Sequence, residues 1–245
     1  MTSEPVSGGD ATGSDDSAHP DAPHGRIVLG SRSPRRRELL TGLPGFGDEG
    51  EPGVRYEVEV LPPSTSDEPG FADCCDLESI RLRLSQIARM KAEDVRLQLG
   101  AQRRATGIAA VVTADTVIIV EDAAGRRLVL GQPTGDGWRE QVRGWFADHL
   151  LGRTHLAATA VCLVSGSGRV LERVVESCVT MSGADGAWVD SYLDSHESLG
   201  KAGGYAIQGR AGELVTSVDG SRTNVIGLPV EDVTEMLGEL GIDAG

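Results

Sequence analysis

The feature that most constrains the fold is the largely apolar run from Ile108 to Val120, whose one charged residue is Asp115. The run is short for a membrane span and carries a carboxylate at its middle, so it is expected to be a strand of a soluble protein. A carboxylate among Val111, Val112, Val117 and Ile118 is costly to desolvate unless it is paired, hydrogen-bonded or metal-bound. Asp115 is therefore expected at a strand end or kink, where it could serve as a metal ligand or general base. The plain alternative is an Asp at a strand-to-turn break.

Around this run, helical and strand patterns are interspersed. Arg26 to Gly30 is a short apolar strand, followed by Ser33 as N-cap and Pro34 at the first helical position. Residues 41–53 are rich in Gly, Pro and acid and are expected to form a surface loop. Val54 to Val60 alternates at strand period, and the Pro-rich segment 62–69 forces an irregular connection. Apolar residues from Leu77 to Leu99 keep helical spacing. Arg127 to Leu130, Leu156 to Val164, Val170 to Val179 and Glu213 to Val218 are expected strands. Residues 136–150 and 184–194 and the stretch Val230 to Leu240 are expected helices. Without a strict βαβ rhythm, the pattern fits an α/β fold, a mixed twisted sheet with flanking helices, better than a barrel. No internal repeat is present.

The 245 residues, 39% hydrophobic, suffice for one domain with a full core. The formal charge of -14 argues against binding to a nucleic-acid polymer or an anionic membrane, since both need a basic surface. Part of that charge lies in residues 1–25, where Glu4, Asp10, Asp15, Asp16 and Asp21 stand without Lys or Arg. This segment lacks the apolar side chains needed to offset ordering entropy, so it is expected to be a disordered acidic tail, with the domain spanning residues 26–245. It also lacks the pattern of a secretory signal. Cys74, Cys75, Cys162 and Cys178 form no CxxC pair, which points to a reducing, cytoplasmic compartment.

Three constellations could carry chemistry. Ser31 to Arg37 places a basic turn at a helix start, where backbone N–H groups and the forked donors of Arg35 and Arg36 suit phosphate oxygens; the bland reading is a solvated first turn. Asp115 and Thr116 form the second. Asp67 and Glu68, in the Pro-rich loop, could add carboxylates for a hard cation or simply be solvated. The third is Gly200-Lys-Ala-Gly-Gly-Tyr-Ala-Ile-Gln-Gly209, whose glycines allow close backbone approach to a ligand while Lys201 offers a charge and Gln208 an amide. It is not a Walker A loop, because the earlier Gly is missing and Ala202 follows the Lys. Ser198 and Lys201 match a serine acyl-enzyme spacing without its partner motifs. The five histidines show no zinc-ligand pattern.

Taken in order, Val28-Leu-Gly-Ser-Arg-Ser-Pro-Arg-Arg-Arg-Glu-Leu-Leu40, Ala114-Asp-Thr-Val117, Gly131-Gln-Pro133, the Gly200 to Gly209 segment and Asn224-Val-Ile-Gly-Leu-Pro229 resemble the signature blocks of the Maf (septum-formation-inhibitor-like) nucleotide pyrophosphatases. The blocks span residues 26 to about 240. The resemblance implies a fold related to the inosine triphosphate pyrophosphatases, with two lobes around a cleft. It also implies hydrolysis of a nucleoside triphosphate to monophosphate and pyrophosphate with a divalent metal, magnesium or manganese. Asp115 is then the proton acceptor and, with Glu68, a metal ligand. Arg35, Thr116 and Gln208 match positions of substrate choice, and Arg36, Lys91 and Lys201 match polar positions of the cleft. Lys91 and Lys201 are expected to join Asp115 in catalysis, and Ser33, Arg36 and Gln132 are expected to bind substrate.

The Ser-Pro-Arg-Arg and Ile-Gln-Gly pair resembles the branch acting on dTTP and UTP. The 7-methyl-GTP branch usually has an aromatic residue near the position of Arg35. Family members commonly carry Lys where this chain has Gln132, and an amide brings no charge to phosphate. That departure keeps a second reading open, a nucleotide-binding regulator of cell division with little catalysis. Members of the family often form dimers, so a homodimer is the expected assembly.

Overall fold

The structure, a computed structural model, describes residues 25–65 and 67–244. The expected disordered tail therefore lies, but for Gly25, outside the described residues. The chain runs β1 (Gly25–Leu29), α1 (Pro34–Thr41), β2 (Phe46–Gly47), β3 (Tyr56–Val60), α2 (Leu77–Ala101), β4 (Ile108–Glu121), β5 (Arg127–Leu130) and α3 (Trp138–Trp145). It continues through β6 (Thr154–Ser165), β7 (Val170–Met181), α4 (Gly186–Asp194), β8 (Val215–Asp219), α5 (Arg222–Ile226) and α6 (Val230–Glu239). One mixed sheet of order β2-β3-β1-β4-β6-β7-β8 results, with β5 added to the far end of β4. β1 pairs in parallel with β3 and β4, and the remaining pairs around β4, β6, β7 and β8 are antiparallel.

Side-chain alternation along β4 decides which helix covers which residue. Ala110, Val112 and Ala114 face the layer that contains α6, through Val233 and Leu237. Val111, Val117 and Ile119 face α2, through Leu84, Ala88, Ala92 and Val95. α2 is held at its start by a capping box in which the Asp76 side chain accepts from Ser79 N–H and Ser79 Oγ answers the Asp76 N–H. A third cluster gathers the far ends of β4, β6 and β7 with α3, α4, Phe146 and Tyr192. β4 and β6 run through both halves, and the halves diverge around the middle of β4.

Asp115 does not stand at a strand end, contrary to expectation. It lies inside the 14-residue β4, opposite Ala160 of β6 in unbroken register. The strand tolerates a carboxylate there because its other edge is open at that point. Pairing with β1 ends at Val112 and pairing with β5 begins at Ile118. The break is thus in the neighbours of β4, which no pattern within β4 can reveal.

Smaller differences have local causes. The acidic loop at 41–53 includes β2, because Phe46 is buried against Tyr56 with ring centroids 5.2 Å apart. The strand expected from Glu213 starts at Val215, since Arg210–Leu214 forms a 3₁₀ turn. α5 is one turn long, capped by Ser221, and too short for periodicity to mark it.

Candidate active site

A cavity of about 450 Å³ opens at the gap beside β4 and collects side chains from every block singled out in the sequence. Its charged lining is Arg32, Arg35, Arg36, Lys91 and Lys201 against Glu68 and Asp115. In a chain with formal charge -14, this cationic concavity is a local reversal of sign that suits a small anionic guest.

Asp115 and Thr116 straddle the open edge, one on each face of the sheet. On the α2 face, Lys91 lies on the same helical side as Ala88 and Val95, and its Nζ sits 2.6 Å from Asp115 Oδ1 and 3.1 Å from Glu68 Oε1. Both side chains of the closer pair are mostly shielded, at 13% and 17% exposure, so solvent screens them little. The desolvation penalty of Asp115 is thus met by a lysine that the sequence places 24 residues earlier.

On the opposite face, Arg36 is consumed by the protein. Its Nε donates to Gly227 O at 2.8 Å, Nη1 to Ala114 O at 2.8 Å and Ser31 Oγ at 3.3 Å, and Nη2 to Thr116 Oγ1 at 3.0 Å. Arg36 substitutes for the missing strand neighbour by taking the Ala114 carbonyl. Burial lowers the pKa of its guanidinium, with Asp115 acting in the opposite sense.

The first turn of α1 contributes less backbone than its position suggests. Pro34 has no N–H, and the Arg36 N–H is spent on Ser33 Oγ at 3.4 Å. Anion attraction at this turn rests on the Arg35 side chain, which has no hydrogen-bond or ion-pair partner among the described residues. Across the cavity stands Lys201, whose pKa is lowered first by burial and then by Arg35, with Glu197 opposing. Gln132 and Gln208 are exposed at the rim and line the same cavity.

The glycines around Lys201 serve packing as much as ligand approach. Gly203 has φ +66°, and a Cβ there would come within 2.7 Å of Ile118 Cγ1. The Gly203 N–H donates to Gly131 O at 2.9 Å, tying the Lys201 loop to the Gln132 loop. The next side chain, Tyr205, is anchored by its hydroxyl 2.7 Å from buried His155 Nε2.

Residues 26–240 match the family described as Maf-like protein. The chain belongs to the Maf family. Among the curated relatives, the dTTP/UTP pyrophosphatase of Brucella abortus is 37% identical over 217 residues, covering 88% of this chain and 92% of that one. The dTTP/UTP pyrophosphatase of Shewanella oneidensis is 34% identical over 219 residues, 88% of this chain and 98% of that one. A solved nucleoside-triphosphatase / dITP/XTP pyrophosphatase from Mycobacterium abscessus aligns with 64% of this chain and 74% of its own, at 19% identity and a TM-score of 0.36.

All the Maf positions named from sequence (Ser33, Arg35, Arg36, Glu68, Lys91, Asp115, Thr116, Gln132, Lys201 and Gln208) line this one cavity. Sequence reasoning did not single out Ser31, whose Oγ receives Ser33 N–H at 3.1 Å, nor Tyr205 and Gly227 as wall residues. Ser31 was legible only as part of a basic turn, and nothing local marks Gly227 as the acceptor for Arg36. Among the described residues, no helix is long and apolar enough to cross a membrane.

Proposed function

We propose that this Maf chain hydrolyses dTTP or UTP to the nucleoside monophosphate and pyrophosphate, with Asp115 as proton acceptor. That it is a nucleoside triphosphate pyrophosphatase is supported by its family and by relatives of that name matched over 88% of its length. The observation that carries the reading is the cationic cavity at the open edge of β4, with a shielded carboxylate at its floor.

In this mechanism water attacks the α-phosphorus, the bond from that phosphorus to the α–β bridging oxygen breaks, and pyrophosphate leaves. The water gives its proton to Asp115, whose Oδ1 is fixed by Lys91. Arg35, which has no partner among the described residues, and Lys201, which faces it in the same wall, attract the triphosphate and oppose its growing charge. Gln132 offers an uncharged hydrogen bond at the rim.

The residues present fit a divalent metal such as magnesium or manganese. Glu68 and Asp115 converge across Lys91, and no cluster of three or more His, Cys, Asp and Glu side chains suited to a metal occurs among the described residues. Two carboxylates suit magnesium, which keeps several waters and completes its shell with substrate phosphates. When bound, the ion supplies charge that spreads over phosphate oxygens. We place the reaction in the cytoplasm, consistent with four free cysteines, and the homodimer remains part of the proposal.

The test is turnover of a panel of canonical and modified nucleotides, 7-methyl-GTP included, in ¹⁸O-labelled water with magnesium or manganese. The proposal expects dTTP and UTP to lead, with label in the monophosphate. Orthophosphate with a nucleoside diphosphate would overturn the assigned bond, and tight binding without pyrophosphate release would make the chain a regulator instead.

A further inference from the structure

Behind the cavity wall, the hydroxyl of Thr116 has its proton directed into the protein. Thr116 of β4 lies opposite Thr159 of β6, which is 0% exposed and does not line the cavity. The two Oγ1 atoms are 2.9 Å apart, and Thr159 Oγ1 is 3.1 Å from the carbonyl oxygen of Asn224. A carbonyl only accepts, so the single Thr159 proton goes to Asn224 and Thr159 receives the proton of Thr116. The other protein acceptor within reach of Thr116 is Gly227 O at 3.5 Å, which already holds Arg36 Nε at 2.8 Å. That longer contact to an engaged carbonyl competes poorly with Thr159 at 2.9 Å, so the Thr116 proton goes to Thr159. Arg36 Nη2, meanwhile, donates to Thr116 Oγ1 at 3.0 Å.

We infer that Thr159 is a positioning residue that holds Thr116 as a pure hydrogen-bond acceptor, so that the group of the guest meeting Thr116 brings its own hydrogen. Side chains two apart on a strand share a face, so Thr116 sits beside Ile118, which with Ile207 forms apolar wall of the same cavity. An apolar wall with one oriented polar atom fits a base ring better than a phosphate. This step rests on the nucleotide reading above. The hydrogen is then the ring imide N–H of uracil or thymine, and cytosine, which presents a lone pair at that ring position, meets another lone pair.

Asn224 makes the relay rigid. It is 0% exposed, and its Nδ2 donates to Ala157 O at 3.0 Å and Ser177 Oγ at 2.9 Å, fixing the residue whose carbonyl ends the chain of hydrogen bonds. A buried, directed chain of this kind keeps its polarity because reversing it would leave two acceptors, Thr159 Oγ1 and the Asn224 carbonyl oxygen, facing each other.

The experiment compares kcat and KM for UTP and CTP in the wild type, Thr159→Val and Thr159→Ser. Thr159→Val keeps the shape and releases the Thr116 proton, so the UTP-to-CTP ratio of kcat/KM is expected to fall by about tenfold, mainly through KM. Thr159→Ser keeps the hydroxyl and is expected to restore the ratio. An equal loss on both nucleotides, or a Ser variant that behaves like Val, would make Thr159 a packing residue and overturn the inference. Neutron diffraction of the free protein gives an independent arm, with deuterium expected between Thr116 and Thr159. Deuterium on Thr116 pointing into the cavity would overturn the inference even if hydrolysis is confirmed. A wild type that cleaves no nucleotide would defeat the functional reading and the base assignment, leaving the neutron result to decide the hydrogen-bond direction.

Discussion

Lys91 Nζ lies 2.6 Å from Asp115 Oδ1 and 3.1 Å from Glu68 Oε1, so one lysine spans the two carboxylates proposed to hold a metal. The lysine and the cation therefore compete for the same oxygens. Lys91→Met is expected to lower the magnesium concentration giving half-maximal rate while reducing kcat, because the carboxylates are freed but Asp115 loses its fixed orientation. A magnesium titration of the rate checks this. An unchanged metal requirement would mean the ion binds elsewhere. In the wild type, chelation is expected to abolish turnover and added magnesium to restore it.

Asp115→Asn keeps the volume and removes the proton acceptor. Turnover is expected to fall by roughly 10²-fold or more, with the thermal midpoint changed little. Its partner Lys91 keeps Glu68 at 3.1 Å, so the variant does not strand a lysine without a carboxylate. Rate and melting temperature measured together check this, and retained activity would remove Asp115 from the role.

Gln132 stands exposed at the rim of the cavity and brings no charge to it. Gln132→Lys is expected to raise kcat/KM for the triphosphate severalfold at low salt, since a charge-assisted hydrogen bond to phosphate is about twice as strong as a neutral one. The gain should shrink as salt rises, because Gln132 is exposed. Steady-state kinetics at two ionic strengths distinguish this from a change in folding.

His155 predicts a pH dependence of stability. Burial depresses its pKa to about 4, with 3% of the residue exposed and Nδ1 without a hydrogen-bond partner among the described residues. The unfolded chain binds a proton near the ordinary value of 6.5 and the folded one does not until about 4. Stability from this group is therefore complete above pH 6.5 and lost as pH falls towards 4, by at most about 3 kcal/mol. His155→Gln is expected to flatten that part of the curve. Denaturant unfolding of both proteins between pH 7 and 4 measures the difference.

Much of the fold was legible because its long elements carry their own periodicity. α2 announces itself through Leu84, Ala88 and Val95, and β6 and β7 through paired apolar runs around a Ser-Gly turn. α5 and β2 were not, since five and two residues are too few for a period. Asp115 was correctly marked as costly, yet its place was misjudged, because the break lies in the pairing of β1 and β5 and not in β4. The three arginines of α1 look alike in sequence. In space Arg36 is bound by four protein groups, Arg37 pairs with Asp48, and Arg35 is left facing the cavity.

The sequence by itself determined the family, the mixed α/β character and the residue types that gather at the cavity, because these follow from local pattern and from blocks in a fixed order. Tertiary structure alone decided what each group is free to do. Charge and hydrogen-bonding capacity belong to a residue, but whether they face a guest depends on what else reaches them. Lys91 is held by two carboxylates, Arg36 by backbone carbonyls and hydroxyls, and Thr116 by Thr159, a residue 43 positions away that no spacing rule connects to it.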